Sequence, residues 1–241
     1  MSIPLRLALA LACVAALSGL GCPGGPTPVG HTTSTGKVDH SGGRGRPSSG
    51  AHPIRERSLM REACARGHAR SCFRLGVLLD RGRGGPRDKA GARKAYAGAC
   101  RGGDHRGCFN LALMLTRGQG GCKAPLQARK LLTGACRGHL PQACAALGGM
   151  WFNGVGGSRD HARARLLFAG GCAGKVMDAC ADLALMYLMG YGGPKNLPAA
   201  RKLYTRACNA DLSRGCLNLG LMHERGHGGP STAPARAARS V

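Results

Sequence analysis

The sequence has few aromatic residues, few acids, and too short an apolar run near its start to cross a membrane. Phe, Tyr and Trp make up 4% of its 241 residues, with a single Trp. So few large side chains argue against one deep core, and another source of stability is needed. Asp and Glu number 11 against 35 Lys and Arg, a formal net charge of +24. Such a balance points to anionic partners: nucleic acid, anionic lipid, acidic polysaccharide or cell-wall polymer. The run from Leu7 to Leu17 is apolar, but a spanning helix needs about 20 such residues.

That run follows Arg6 and precedes small residues ending at Gly21-Cys22. This is the order of a secretory signal, so residues 1–21 are expected to direct export. Leu17-Ser-Gly-Leu-Gly21-Cys22 resembles a bacterial lipobox, with Gly19 where Leu is usual. The resemblance implies lipidation at Cys22; ordinary cleavage nearby is the alternative. Residues 22–53 are rich in Gly, Pro, Ser and Thr and lack hydrophobic periodicity, which predicts a flexible tether. Residues 231–241 read as a disordered tail.

Cysteine is abundant, at 13 residues. Beyond Cys13 and Cys22, ten of the remaining eleven form pairs eight positions apart: Cys64 with Cys72, Cys100 with Cys108, Cys136 with Cys144, Cys172 with Cys180, and Cys208 with Cys216. Each pair begins 36 residues after the last, a period that signals a solenoid. Gly82, Gly118, Gly154, Gly190 and Gly226 keep the same step, as do the Gly84-Gly85 pair, Leu75 and Ala92 with their equivalents. One helix is predicted over about 88–102, with Asp88 as N-cap, and a second over about 105–117, ended by Gly118. Each cysteine pair straddles the tight turn between two such helices, so local disulfides are expected. A loop of about nine residues gives roughly 2.5 kcal/mol per bridge in the chain-entropy model. The expected fold is all-α, a right-handed α/α superhelical solenoid of five disulfide-stapled helix pairs over residues 54–230. Zinc is a poor reading of these cysteines, because zinc ligands usually lie two to four residues apart.

The unit resembles the Sel-one-like repeat, a relative of the tetratricopeptide repeat. Leu183-Ala-Leu-Met-Tyr187, Gly190-Tyr-Gly-Gly193, Ala199-Ala-Arg-Lys-Leu-Tyr204 and Ala207 carry the likeness, and the cysteine spacing marks the secreted cysteine-rich bacterial branch. The resemblance implies an adaptor or ligand-binding scaffold. Some cysteine-rich relatives are described as penicillin-binding proteins or weak β-lactamases, so the resemblance also implies a β-lactam-binding or hydrolytic alternative.

Few residues read as chemical machinery. The repeats contain no Ser-x-x-Lys, and the Gly-Gly runs lack the Lys-Ser/Thr ending of a phosphate loop. His223-Glu-Arg-Gly-His227 spells H-E-x-x-H, but Gly226 should end the helix before the second His stacks over the first. No catalytic residue, metal ligand or cofactor is therefore assigned. One column offers a candidate binding surface: Arg57, Arg93, Arg129, Arg165 and Arg201 read first as a solvated helix face, with an anion-binding stripe as the functional alternative. The column of Leu78, Met114, Met150, Met186 and Met222 reads as core, with a Met-lined groove as the alternative. Cys122 lacks a repeat partner and is a candidate free thiol or intermolecular bridge, or a harmless substitution. The expected function is an exported repeat scaffold binding a protein, peptide or anionic envelope polymer, held to the membrane by a lipid anchor alone. Export disfavours nucleic acid.

Overall fold

A computed structural model describes residues 52–227. The signal segment, Cys22, nearly all of the expected tether, and the tail lie outside these residues. Ten helices follow one another, and no strand occurs among the described residues. They are α1 (Pro53–Ala65), α2 (Ala69–Arg81), α3 (Lys89–Arg101), α4 (His105–Arg117), α5 (Pro125–Arg137), α6 (Pro141–Asn153), α7 (His161–Ala173), α8 (Met177–Met189), α9 (Leu197–Cys208) and α10 (Ser213–Glu224). The first helix thus begins one residue inside the expected tether.

Local chemistry sets the helix ends. Asp88, Asp160 and Asn196 accept hydrogen bonds from the backbone N–H groups of Gly91, Arg163 and Ala199, satisfying donors that the first turn leaves open. Asp104 caps α4 in the same way, from Arg106 N–H at 3.0 Å. Where no side-chain cap exists, Pro125 and Pro141 start α5 and α6, positions where a missing N–H costs nothing. The even-numbered helices α2, α4, α6 and α8 end at Gly82, Gly118, Gly154 and Gly190, all left-handed.

Each odd-to-even turn carries one disulfide. Cys64 bonds Cys72 between α1 and α2, Cys100 bonds Cys108 between α3 and α4, and Cys136 bonds Cys144 between α5 and α6. Cys172 bonds Cys180 between α7 and α8, and Cys208 bonds Cys216 between α9 and α10. Their Cα atoms lie 4.4–4.7 Å apart. In three pairs the second sulfur also lies near the carbonyl of the first residue, Cys72 against Cys64, Cys144 against Cys136 and Cys180 against Cys172. The third residue of these turns has positive φ. It is glycine at Gly67 and Gly103 but His139, Lys175 and Asp211 in the other three. A side chain there costs about 1 kcal/mol or more unless its surroundings hold it. A disulfide bridging the same turn is such a constraint.

The even-to-odd connection is the closer packed. Tyr96 of α3 lies over Gly76 of α2, and Phe168 of α7 over Gly148 of α6. A methyl group at Gly76 would sit 2.5 Å from the Tyr96 ring. The glycines therefore make room for the few aromatic side chains, which the thin core needs for filling. Tyr96 is 3% exposed and Tyr204 fully buried. Ala92, Ala128, Ala164 and Ala200 are completely buried, so neighbouring backbones approach closely. The Met column lies in the core, Met186 and Met222 at 1% and 2% exposure. The result is a solenoid of layers, each touching only its neighbours.

Candidate binding faces

The inter-repeat loop explains the arginine column. In Gly120-Gly121 both residues have positive φ. A side chain on Gly120 would collide with the Lys89 carbonyl, so the loop lies directly on the first turn of α3. A side chain on Gly121 would stand 2.6 Å from Arg93 Nη1. The pocket so left is filled by the guanidinium, which donates to the Cys122 carbonyl at 3.0 Å. The pattern repeats every 36 residues: Arg57 donates to the Pro86 carbonyl, Arg129 to Ser158 and Arg165 to Pro194.

Three arginines of the column also rest on the even helix of the same disulfide pair. Arg129 lies 3.3 Å above the Trp151 ring and Arg165 4.1 Å above Tyr187. Arg201 meets His223, with Nη2 2.7 Å from Nδ1. Arg57 and Arg129 are each 8% exposed. Burial pulls the guanidinium pKa of Arg93 and Arg129 down, although arginine stays charged at any ordinary pH. The five arginines of the expected anion-binding stripe therefore sit half-buried to buried, four of them donating to loop carbonyls and Arg201 facing His223.

A different column stands free. Arg87, Lys123, Arg159 and Lys195 recur at the same step of 36, one residue past the carbonyls that the buried arginines hold. All four are exposed. Sequence reasoning passed over them because the column mixes Lys with Arg; counting charge by column instead of identity finds it.

The even-numbered helices share a face with two cavities. One, of about 260 Å³, lies between α6, α8 and α10 and is lined by Phe152, Phe168, Asp182, Leu185, Met186 and Arg214. The other, of about 190 Å³, lies between α2 and α4, with Asp80, Arg81, Tyr96, Asn110 and Arg117 on its walls. In the first, Arg214 bridges Asp182 at 2.7 Å and Asp178 at 3.4 Å. Burial pushes the Asp182 carboxyl up, and Arg214 opposes it. Burial also pushes the Tyr96 and Tyr204 hydroxyls up to about 12, so both remain protonated. Leu185, Met189, Leu217 and Leu221 leave apolar surface exposed on α8 and α10.

The H-E-x-x-H sequence forms no zinc cradle. Helix α10 ends at Glu224 and Gly226 turns left-handed, so His223 and His227 do not share one helical face. No group of three or more metal-ligating side chains gathers among the described residues. Cys122 occupies the exposed loop, where its carbonyl accepts from Arg93.

The family model described as Sel1 repeat matches residues 69–104, 105–138, 141–169, 178–212 and 213–239. The chain belongs to the Sel1 repeat family. These boundaries move the unit by one helix relative to the cysteine frame, pairing α2 with α3, α4 with α5, and so on. Cys100–Cys108, Cys136–Cys144 and Cys208–Cys216 therefore link one repeat to the next, Cys172–Cys180 reaches into the fourth repeat from just before it, and Cys64–Cys72 ties α1, which precedes the first repeat, to that repeat. A protective antigen of uropathogenic Escherichia coli displaying an SLR fold is 25% identical, with a TM-score of 0.69 over 72% of this chain and 37% of that one. A Sel1 repeat protein from Oxalobacter formigenes is 26% identical, with a TM-score of 0.66 over 74% of this chain and 51% of that one. Cysteine rich protein B of Helicobacter pylori is 25% identical, with a TM-score of 0.44 over 55% of this chain and 96% of that one. The chain thus spans well under two thirds of the first two structures. No curated protein matches it. Five disulfides mark an exported protein, and no described helix is long and apolar enough to cross a membrane.

Proposed function

We propose that this chain is an exported scaffold that binds a protein or peptide of the cell envelope on the face formed by its even-numbered helices. One observation carries the reading: the cavity between α6, α8 and α10. It combines apolar walls, among them the exposed Leu185, with a half-buried ion pair, Asp182–Arg214, and the equivalent of Leu185 one repeat on, Leu221 of α10, is exposed as well. Apolar anchoring surface beside a few fixed polar groups suits a peptide or a protein edge. Residues 1–21 would direct export, Cys22 would carry the lipid, and residues 22–53 would hold the body away from the membrane. The hydrolytic alternative rests on the resemblance alone.

The test places a photo-crosslinking residue at Leu185, Leu221 or, on the other helix layer, Leu166, in the oxidised full-length protein in its native envelope. Crosslinks to a polypeptide are expected from the first two positions and not from Leu166, and a Leu185→Glu/Leu221→Glu variant should lose its partner. Equal crosslinking from Leu166 would sink the reading.

A further inference from the structure

The loop cations are built into the fold as a ridge. Arg87, Lys123, Arg159 and Lys195 each directly precede the cap position of an odd helix, at Asp88, Ala124, Asp160 and Asn196. The stems of three are laid across the glycine ending an even helix. A Cβ on Gly118 would lie 2.8 Å from Lys123 Cγ, on Gly190 3.0 Å from Lys195 Cγ, and on Gly154 3.5 Å from Arg159 Cβ. The glycine column thus lets these side chains cross the helix end.

Their charge is paired with no acid among the described residues. The ion pairs among the described residues use Arg74, Lys89, Arg106, Arg163 and Arg214, and none uses a ridge cation. Asp88 and Asp160, the acids next in sequence to two of them, are turned onto Gly91 and Arg163 of their own helices. A lone exposed cation binds little, but cations repeated in register along a solenoid act together on a ligand that repeats its charge.

We propose that Arg87, Lys123, Arg159 and Lys195 form a linear binding ridge for an extended anionic glycan, separate from the face proposed for a protein partner. Nucleic acid fits the ridge less well, because single strands are held by aromatic stacking and the preceding loop positions are Pro86, Cys122, Ser158 and Pro194. The same residues offer no large apolar side chain for insertion into a lipid surface.

The experiment titrates the oxidised full-length protein with dextran sulfate, neutral dextran, an oligothymidylate and anionic phosphatidylglycerol vesicles at several salt concentrations. The variant R87Q/K123Q/R159Q/K195Q is compared with R55Q/R101Q/R137Q/K175Q, which removes the same charge from exposed sites elsewhere. Dextran sulfate should bind and neutral dextran should not. The ridge variant should lose at least tenfold in affinity, and its log-affinity against log-salt slope should flatten by about three, near one released counterion per lost contact. The control should lose less than threefold. If the fourfold variant melts early, the pairs R87Q/K123Q and R159Q/K195Q should each give about half the loss in log affinity. Equal losses in ridge and control variants, no wild-type binding, or tighter binding of oligothymidylate or vesicles through these four residues would overturn the proposal. The crosslinking at Leu185 is independent of all these outcomes, so either reading can fail alone.

Discussion

Two columns of cations run the length of this solenoid, and they differ in what their charge does. The column of Arg57, Arg93, Arg129 and Arg165 points under the Gly-Gly loops, each side chain donating to a carbonyl 29 residues further on. The column of Arg87, Lys123, Arg159 and Lys195 lies one residue beyond those carbonyls and faces solvent. The first contains only arginine, whose planar fork donates to a loop carbonyl at every position and, in Arg129 and Arg165, also lies over an aromatic ring. The second takes lysine and arginine alike, as expected where only a point charge is needed. Equal formal charge thus divides into structural and free by its relation to one loop.

Both columns depend on the staples, so the largest effect should come from removing them. In the chain-entropy model five local bridges contribute on the order of 10 kcal/mol, comparable with the whole stability of a typical domain. Reduction under native conditions should therefore abolish most of the helical circular dichroism at 37 °C. Because Cys100–Cys108, Cys136–Cys144 and Cys208–Cys216 join successive family repeats, loss should spread along the array. A reduced chain that keeps its helical signal and melting temperature would place the stability in the Ala/Gly core instead.

The next effect separates the columns directly. Arg129→Ala removes a charge-assisted hydrogen bond to Ser158 and the contact with Trp151, together worth about 3 kcal/mol. Arg159→Ala, thirty residues on, should change stability by no more than about 0.5 kcal/mol. The urea midpoint of the oxidised protein reads the difference. Dextran sulfate affinity should show the reverse order, falling by about twofold in Arg159→Ala, a quarter of the fourfold variant's loss in log affinity, and unchanged in Arg129→Ala. Arg129→Lys keeps the charge but not the fork, and should retain about half the stabilisation. Similar midpoints for Arg129→Ala and Arg159→Ala would erase the distinction between the columns.

This division also marks where the sequence can be read and where it cannot. The fold was legible because its decisive features are local. Cys100 and Cys108 span one turn, Asp88 and Gly91 lie three residues apart, and a period of 36 multiplies each signal fivefold. The role of Arg129 was not legible, since its partners Trp151 and Ser158 are brought to it only by the packing of α5, α6 and the following loop. A hint existed in the aromatic residues 22 positions after Arg129 and Arg165, but two instances make a weak pattern. The repeat boundary was hidden for a related reason: the cysteines draw the eye to the turn they cross, while the closer packing lies across the glycine loop. The cavity at Asp182 depends on three even helices converging, which no spacing within one repeat encodes.

Among the acids the same contrast between held and stranded charge predicts a smaller, pH-dependent effect. Asp104 is held by Arg106, which donates to it at 2.7 and 3.0 Å, and its carboxyl lies below the usual range because of those bonds. A depressed folded pKa adds stability above the unfolded value of about 3.9, and that stability is lost as pH falls through the folded value. Asp182 is the opposite case. Burial raises its carboxyl against the pull of Arg214, so its favourable contribution belongs to low pH and disappears as pH rises through the folded value. Asp104→Asn keeps a capping oxygen but not the charge. It should melt below wild type at pH 7, with the gap closing as pH falls below 4. Asp182→Asn should melt at or above wild type at pH 7, and its gap too should close in acid, from the other side. Thermal melts of the three oxidised proteins between pH 3 and 7 test both signs; a destabilised Asp182→Asn at pH 7 would mean that the pair with Arg214 outweighs the cost of burying the carboxylate.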